Sequence, residues 1–342
     1  MPMYDPSSLY VDPILTDFST GFEPDSLIGF EIMPQVESGT PSGSYRTFDR
    51  SERVIFPDRR EPGTVANEVR GAKWSADVFK TVQRSLQAAV ADEEAAYAAS
   101  LGGVNNASAG NSTGALDIDP EEDAARLVKS SLSLKHEFLT QALIRNVANY
   151  PAGHTVTLVA ADQWDNYAGA TSNPIDIIRA ALLKVSLKIG VAPNTIVIPR
   201  FGTTFLENHP DVVARFTNFN LTDAEAFRKL TGFEGKVVFS GVVYNTNDNV
   251  DAAQVLASMW GTDVWLGYVR PGLNRNDLSF GKTFMWPPGG PGGELQPTER
   301  WREEGRKSDL VRTTWQYDPK ITTSMAGYLI KDAFSAASLA LV

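Results

Sequence analysis

The chain has 342 residues, of which 42% are hydrophobic, no cysteine, and a formal net charge of −10 at neutral pH. This composition supports a folded core and excludes disulfides, thiol catalysis and cysteine metal sites. The acidic balance disfavours phosphate clamping. The sequence also lacks an apolar run long enough to span a membrane and a recognisable signal peptide.

Residues 1 to 42 are predicted to form an extended amino-terminal arm, because prolines recur along them and interrupt any long helix. The arm is nevertheless rich in apolar side chains, including Leu15, Phe18 and Phe30, that need to be buried. We expect it to pack across other parts of the fold or across neighbouring subunits. An irregular layer of the same domain is the alternative.

Residues 43 to 75 are predicted to form a long β-hairpin loop, with one extended run from Ser44 to Phe56 and another that begins near Thr64 and reaches Val82. Residues 46–70 carry eleven charged side chains whose signs nearly cancel. Such a hairpin suits a protein–protein contact whose register is set by charge, and a solvated surface hairpin is the alternative. The predicted inter-subunit contact residues are Arg46, Arg50, Arg53, Asp58, Arg59, Arg60, Glu61, Glu68 and Arg70.

Residues 83–99 are rich in alanine and glutamate and are predicted to be helical, and a Gly/Asn/Ser-rich linker follows at 101–114. A long helix is then predicted from Asp119 to about Asn149. Asp119 suits the N-cap, Pro120 the first helical position and Glu122 a capping box. The apolar stripe of this spine helix is predicted to comprise Val128, Leu132, Leu139, Leu143 and Val147.

The residues after the spine helix alternate between strand and helix patterns. A helix is predicted to start at Asn173-Pro174 and to end at Gly190, and strands are predicted at 195–198, 236–244, 255–260 and 264–269. Residues 166–275 therefore read as an α/β or α+β unit. Further strands are predicted at 298–303, 310–317 and 326–334, after a Pro/Gly-rich loop at 287–293.

The sequence offers no recognisable active site. The three histidines, His136, His154 and His209, have no metal-binding spacing, and no nucleophile elbow or dinucleotide fingerprint is present. The acidic run over 117–123 lacks the glycine that a calcium loop requires, so helix capping is the favoured interpretation. We therefore expect no enzyme activity, no cofactor and no metal.

The order of elements resembles the major capsid protein of tailed double-stranded DNA bacteriophages, the Hong Kong 97-like fold family. The stretches that carry this resemblance are Ile32-Met33-Pro34-Gln35-Val36, Gly43-Ser44-Tyr45, Pro62-Gly63, Asn173-Pro174-Ile175 through Gly190 to Pro193-Asn194-Thr195, Phe205 to Pro210, and Met259-Trp260-Gly261. The order and spacing of these stretches over nearly the whole chain carry the resemblance.

The resemblance implies an α+β capsid fold with four parts. These are an amino-terminal arm at 1–42, an extended loop at 43–75, a peripheral domain at 76–165 and 276–342 built on the spine helix, and an axial α/β domain at 166–275. It also implies self-assembly into hexamers and pentamers of an icosahedral head around double-stranded DNA, without sequence-specific DNA binding. Scaffolding, portal and cement proteins are the implied partners. The protein would assemble in the host cytoplasm, reside in the virion and bind no membrane.

Two departures from the family pattern carry expectations of their own. Some members cross-link through a loop lysine, but residues 43–72 contain none and Lys73 stands at the base of the loop, so we expect no such cross-link. No long helical scaffolding segment precedes Tyr4, so we expect a separate scaffolding protein or prior cleavage. The alternatives are an encapsulin-like shell that encloses cargo protein and a soluble enzyme with an α/β domain.

Overall fold

A computed structural model describes residues 15–16, 27–47, 55, 58–62, 65, 75–98, 119–168, 171–215, 224–247, 253–272 and 278–339. Apart from helical residues at 15–16 and 92–98, the helices among these residues are α1 Gly29–Ile32, α2 Pro120–Ile144, α3 Pro174–Ile189, α4 Arg200–Glu207, α5 Pro210–Arg215, α6 Ala224–Thr231 and α7 Ala336–Leu339. The strands are β1 Gln35–Glu37, β2 Ser42–Thr47, β3 Ser75–Lys80, β4 Val82–Ala91, β5 Thr155–Thr157, β6 Thr195–Pro199, β7 Lys236–Ser240, β8 Val243–Asn245, β9 Leu256–Ser258, β10 Val264–Gly267, β11 Gly281–Met285, β12 Thr298–Glu303, β13 Ser308–Ile321 and β14 Gly327–Lys331. The mixture of helix and sheet confirms the predicted α+β class.

The amino-terminal cap of α2 is as predicted. The Asp119 carboxylate accepts hydrogen bonds from the backbone N–H groups of Glu121 and Glu122 at 3.0 and 3.4 Å, and Pro120 is the first helical residue. Three acidic residues in the first turn also complement the positive end of the helix dipole. The predicted position of the helix start is therefore confirmed by a specific capping interaction.

The carboxyl-terminal end of α2 differs from the prediction. The helix stops at Ile144 and a separate 3-10 turn, Val147–Asn149, follows, so Val147 is exposed and does not extend the apolar stripe. Asn146 caps this turn by accepting a hydrogen bond from the Ala148 N–H at 3.1 Å. The amide of Asn149 then donates to the Leu143 carbonyl at 2.7 Å, which satisfies one of the carbonyls left open at the helix end.

The predicted helix over 83–99 is wrong for most of its length. Residues Val82–Ala91 form β4, and helical residues appear only over 92–98. β4 pairs antiparallel with β13 over ten residues, from Val82 opposite Tyr317 to Ala91 opposite Ser308. Helix propensity differs by only tenths of a kcal/mol between ordinary residues, so a continuous ladder with a neighbouring strand overrides it.

The first large sheet is organised around β13. Its 14 residues pair with β4 on one side, and with β12 and then β11 on the other, while β1 adds to β11 in parallel. The amino-terminal half of α2 packs on this sheet, where Val128 and Leu132 meet Trp315 and Tyr317. This layer is the body on which the arm and the hairpin are mounted.

The second large sheet has the order β5-β14-β10-β6-β7. β10 is antiparallel to both β14 and β6, and the outer pairs β5–β14 and β6–β7 are parallel. α3 packs on it between the predicted caps: Asn173 accepts from the Asp176 N–H at 3.1 Å, and Gly190 ends the helix with φ of 68°. Two of the five strands, β5 and β14, lie outside the 166–275 range, and the proposed domain division remains a prediction.

The main hydrophobic core lies between α3 and this second sheet and extends to the end of α2. Buried tryptophans at 164, 260 and 265 belong to it. Of the helices in the described part of the chain, none is both long and apolar enough to cross a bilayer.

Candidate assembly interface

The predicted hairpin is anchored to the body by three aromatic rings. β2 and β3 pair antiparallel, with Ser42 opposite Lys80 and Thr47 opposite Ser75. From this base, Tyr45 and Phe79 point inward onto Phe284 of β11, with ring centroids 5.2 and 4.4 Å away. Period-two alternation then turns their sequence neighbours outward, so the hairpin is held by one face of its base.

A hydrogen bond at the rim completes the hairpin anchor. The Tyr45 hydroxyl donates to the Asp77 carboxylate at 2.8 Å, across the β2–β3 pair. This bond lowers the pKa of Asp77, and burial together with the carboxylate raises the pKa of Tyr45. The Asp318 carboxylate accepts a hydrogen bond from the Lys80 N–H at 3.0 Å, which links β3 to β13. The hairpin anchor therefore remains in its hydrogen-bonded form at neutral pH.

The described contact residues of the hairpin all face solvent. Arg46 is exposed on β2 opposite Ala76, and the turn residues 58–61, which are Asp58, Arg59, Arg60 and Glu61, are exposed as well. Arg50, Arg53, Glu68 and Arg70 lie outside the described residues. The base of the hairpin is thus anchored to the body, while the described charged residues lie at the surface.

The arm is anchored by a buried carboxylate on α2. Glu137 accepts hydrogen bonds from the Ile28 N–H at 3.1 Å, from the Gly29 N–H, and from the Trp260 indole N–H at 2.7 Å. A Cβ at Gly29 would lie 2.7 Å from the Glu137 carboxylate, so glycine is what permits this approach. Burial raises the pKa of Glu137 to about 7, although the three donors oppose that shift. One side chain thus joins the arm, the spine helix and the loop before β10.

The neighbouring His136 holds the next residues of the arm. Its ring stacks on Phe30 at 3.9 Å, and its Nε2 lies 3.1 Å from the Thr283 hydroxyl. That hydroxyl donates to the Met33 carbonyl at 3.0 Å, so the imidazole must be the donor to it. Burial, reinforced by the charge of Arg84, lowers the pKa of His136 to about 3.

Two further contacts fix the arm to its own subunit. Leu15 packs with Val90, Ala125 and Val311 between α2 and the first sheet. Thr16 exchanges hydrogen bonds with the backbone of Thr298 at the edge strand β12. These described parts of the arm pack on the same chain, which is one of the two arrangements expected from the sequence.

His209, which is buried next to Ser172 and near Asp211, has a structural role. The Ser172 hydroxyl donates to the Gln163 carbonyl at 2.9 Å and lies 3.0 Å from His209 Nε2. The Asp211 N–H points at the other ring nitrogen, Nδ1, at 3.3 Å. Nδ1 is therefore the acceptor and Nε2 the donor, which is the reverse of what a base that activates Ser172 requires.

The described residues contain no group of three or more His, Asp or Glu side chains placed to hold a metal ion. Of the acidic run that suggested a calcium loop, Asp119 caps α2 and Glu121 pairs with Arg300 at 2.6 Å. Helix capping explains Asp119, and the packing of α2 on the first sheet explains Glu121.

Sequence reasoning placed charges on the hairpin but did not identify the residues that anchor it. Phe79, Phe284 and Glu137 form contacts between segments 100 or more positions apart, and local patterns carry no such pairing. One signal was available. Glu137 lies one turn from Ser133 and Gln141 on the buried side of α2, and an acid on the inner face of a helix predicts buried partners.

Comparison with known proteins agrees with this architecture. No family model matches the chain. A protein named major capsid protein, from Burkholderia phage BcepMu, is 22% identical over 330 residues, which are 94% of this chain and 95% of the relative.

Solved structures share the fold along nearly the whole chain. A phage-related protein from Bordetella bronchiseptica has a TM-score of 0.70 at 23% identity and covers 95% of this chain and 98% of its own. The capsid structure of Cyanophage P-SCSP1u has a TM-score of 0.55 at 10% identity, with 91% and 89% covered. The predicted phage capsid fold is therefore confirmed.

Proposed function

We propose that this chain, which has the phage capsid fold, is a major capsid protein located in the shell of the virion, and that its hairpin and arm set the contacts between subunits. The whole-length relationship to a phage capsid protein disfavours the encapsulin-like alternative. Copies join head to tail into hexamers and pentamers, since unlike surfaces that meet with rotation close into rings. The rings tile an icosahedral head around double-stranded DNA.

The observation that supports this role for the hairpin is its one-sided burial. Across the twelve described strand residues of β2 and β3, only Tyr45 and Phe79 are buried. Of the other ten residues, eight are exposed and two are partly exposed. We propose that the charged residues predicted from the sequence, including those outside the described ranges, meet a neighbouring subunit and set its register.

The proposed division of labour follows the four predicted parts. The arm at 1–42 and the loop at 43–75 reach neighbours, the peripheral domain at 76–165 and 276–342 forms the body, and the axial domain at 166–275 surrounds the capsomer axis. The chain acts without enzymatic chemistry, cofactor or metal. Scaffolding, portal and cement proteins are its proposed partners. The DNA is held without sequence-specific contacts, consistent with a net charge of −10.

Electron microscopy and light scattering on one purified sample test the proposal. We expect hexameric and pentameric rings or closed shells, with nucleic acid in particles that form during infection. A uniform monomer or dimer under every salt and scaffold condition would contradict it, and a cargo protein inside the shell would restore the encapsulin-like alternative.

A charge reversal tests the hairpin separately. The double variant Arg59→Glu, Arg60→Glu should lower shell yield while leaving subunit stability within about 0.5 kcal/mol, because both residues are exposed. Arg59→Lys, Arg60→Lys is the matched control, because it keeps both charges. Equal shell yield from the two variants would mean that these tip charges set no inter-subunit contact.

A further inference from the structure

The outer face of α3 carries an apolar stripe that the subunit does not cover. Leu183 and Leu187 stand one turn apart on the helix and are exposed, Leu187 to 84%; Val191, which directly follows the Gly190 cap, is exposed as well. The inner face of the same helix is already complete, with Ile178, Val185 and other apolar residues buried. Surface helices normally present polar residues outward, and contiguous exposed apolar residues mark interaction sites.

A second apolar patch lies on the β8–β9 hairpin. Tyr244 and its partner Ala257 face inward, where the Tyr244 ring meets Phe138 of α2 with centroids 5.9 Å apart. Alternation along the strands turns Val243 and Leu256 to the other face, and both are exposed, Leu256 to 62%. The β8–β9 hairpin thus packs on α2 with one face and exposes aliphatic side chains on the other.

The two patches lie on opposite sides of the second sheet. The Lys184 ammonium group sits 5.3 Å from the centre of the Tyr328 ring, so Tyr328 and its cross-strand partner Leu266 face α3. The next residue along β10, Trp265, therefore faces away from α3, where it meets Phe280 at 5.0 Å.

That second face is the α2 side of the sheet. Phe280 stacks on Tyr150, whose hydroxyl donates to the carbonyl of Ile144, the last residue of α2. The β8–β9 hairpin packs on α2 through Phe138 and so belongs to this side. One domain consequently carries an apolar surface on each of its two sides.

We propose that the α3 stripe of one subunit docks against the outer face of the β8–β9 hairpin of the next copy in the ring. This inference rests on the proposed assembly into rings. A head-to-tail ring requires two unlike, complementary surfaces on opposite sides of each subunit, and these two patches meet that requirement. The proposed contact joins Leu183, Leu187 and Val191 of one subunit to Val243 and Leu256 of the next.

Because the chain contains no cysteine, introduced cysteines are its only thiols, and cross-linking between them tests the docking directly. Leu187→Cys and Leu256→Cys subunits are made separately, mixed, assembled under reducing conditions and then treated with a short bis-maleimide linker. We expect a heterodimer of the two variants, and a ladder up to the hexamer when both substitutions stand in one chain. Leu127→Cys, at a leucine on α2 that is 61% exposed, is the control and should not cross-link with either.

The outcomes separate this inference from the proposed function. Rings that form without Leu187→Cys to Leu256→Cys cross-links, or with only Leu187→Cys self-links, overturn the docking and leave the capsid role intact. Failure of the unmodified protein to form rings at all would instead overturn the proposed function. As a second measurement, Leu187→Ser should raise the concentration needed for assembly about tenfold, since burial of a leucine contributes about 1.5–3 kcal/mol, whereas Leu127→Ser should not.

Discussion

The arm and the hairpin are attached to the same body by opposite kinds of chemistry. The hairpin base rests on three packed aromatic rings, and its one carboxylate, Asp77, sits at the exposed rim. The arm rests on two adjacent buried titratable residues, His136 and Glu137. An attachment through aromatic packing is insensitive to pH near neutrality, whereas one through buried titratable groups is not.

The pH responses differ in sign as well as in size. The folded pKa of Glu137 is raised, so its contribution to stability is present below the unfolded value and is lost as pH rises through about 7. The folded pKa of His136 is lowered, so its contribution is lost as pH falls below the ordinary value of 6.5. Where the two titrations overlap, the effects of Glu137 and His136 on stability offset each other. Asp77, whose pKa is lowered, affects stability only at more acidic pH.

Truncation of the hairpin anchor is expected to have the largest effect. Phe79→Ala removes a fully buried ring from the contact with Phe284 and should lower the free energy of unfolding by about 3–5 kcal/mol. Urea unfolding of the unassembled subunit measures it. Val78→Ala is the control, because Val78 is the next residue on the same strand and is 60% exposed. Equal losses from the two variants would show that the aromatic cluster is not the anchor.

The contact of the arm with His136 and Glu137 is tested by removing the titration of Glu137. In Glu137→Gln, only His136 still titrates, so this variant should lose stability as pH falls below 6.5. The free energy of unfolding of the unmodified protein minus that of the variant should fall by about 3 kcal/mol as pH rises from 4.5 through 7. Urea unfolding at half-unit pH steps measures both curves.

The control for this pH profile is Asp123→Asn, which alters an exposed carboxylate on the same helix. Its profile should run parallel to that of the unmodified protein. A difference between Glu137→Gln and the unmodified protein that stays constant with pH would mean that Glu137 does not titrate in this window.

Features set by neighbouring residues were predictable from the sequence, and features set by distant pairing were not. The caps of α2 and α3 depend on side chains within three residues of the helix start, and both were found where Asp119 and Asn173 predicted them. β4 was predicted as helix because its alanine content is a local signal, while its partner β13 lies more than 200 residues away.

The same distinction explains the candidate interface. The mixed charge of the hairpin is visible in its composition, and the exposure of Asp58 to Glu61 agrees with it. The Glu137 anchor requires two backbone N–H groups from a segment 108 and 109 positions earlier, and no residue type signals a backbone donor. The docking of β5 and β14 into the second sheet is equally nonlocal.

The smallest expected effect concerns the polar rim of the hairpin anchor. Tyr45→Phe keeps the ring on Phe284 but removes the donor to Asp77, so the free energy of unfolding should fall by about 1 kcal/mol. The pKa of Asp77 should rise toward its ordinary value, because the Tyr45 hydroxyl is the main cause of its lowering. Carboxyl chemical shifts followed through an acid titration measure that change, and Ser44→Ala on the outer face of β2 serves as the control. If the Asp77 pKa stays low in Tyr45→Phe, then its other donor, the Val78 N–H at 2.7 Å, holds the carboxylate and the rim hydrogen bond contributes little to the anchor.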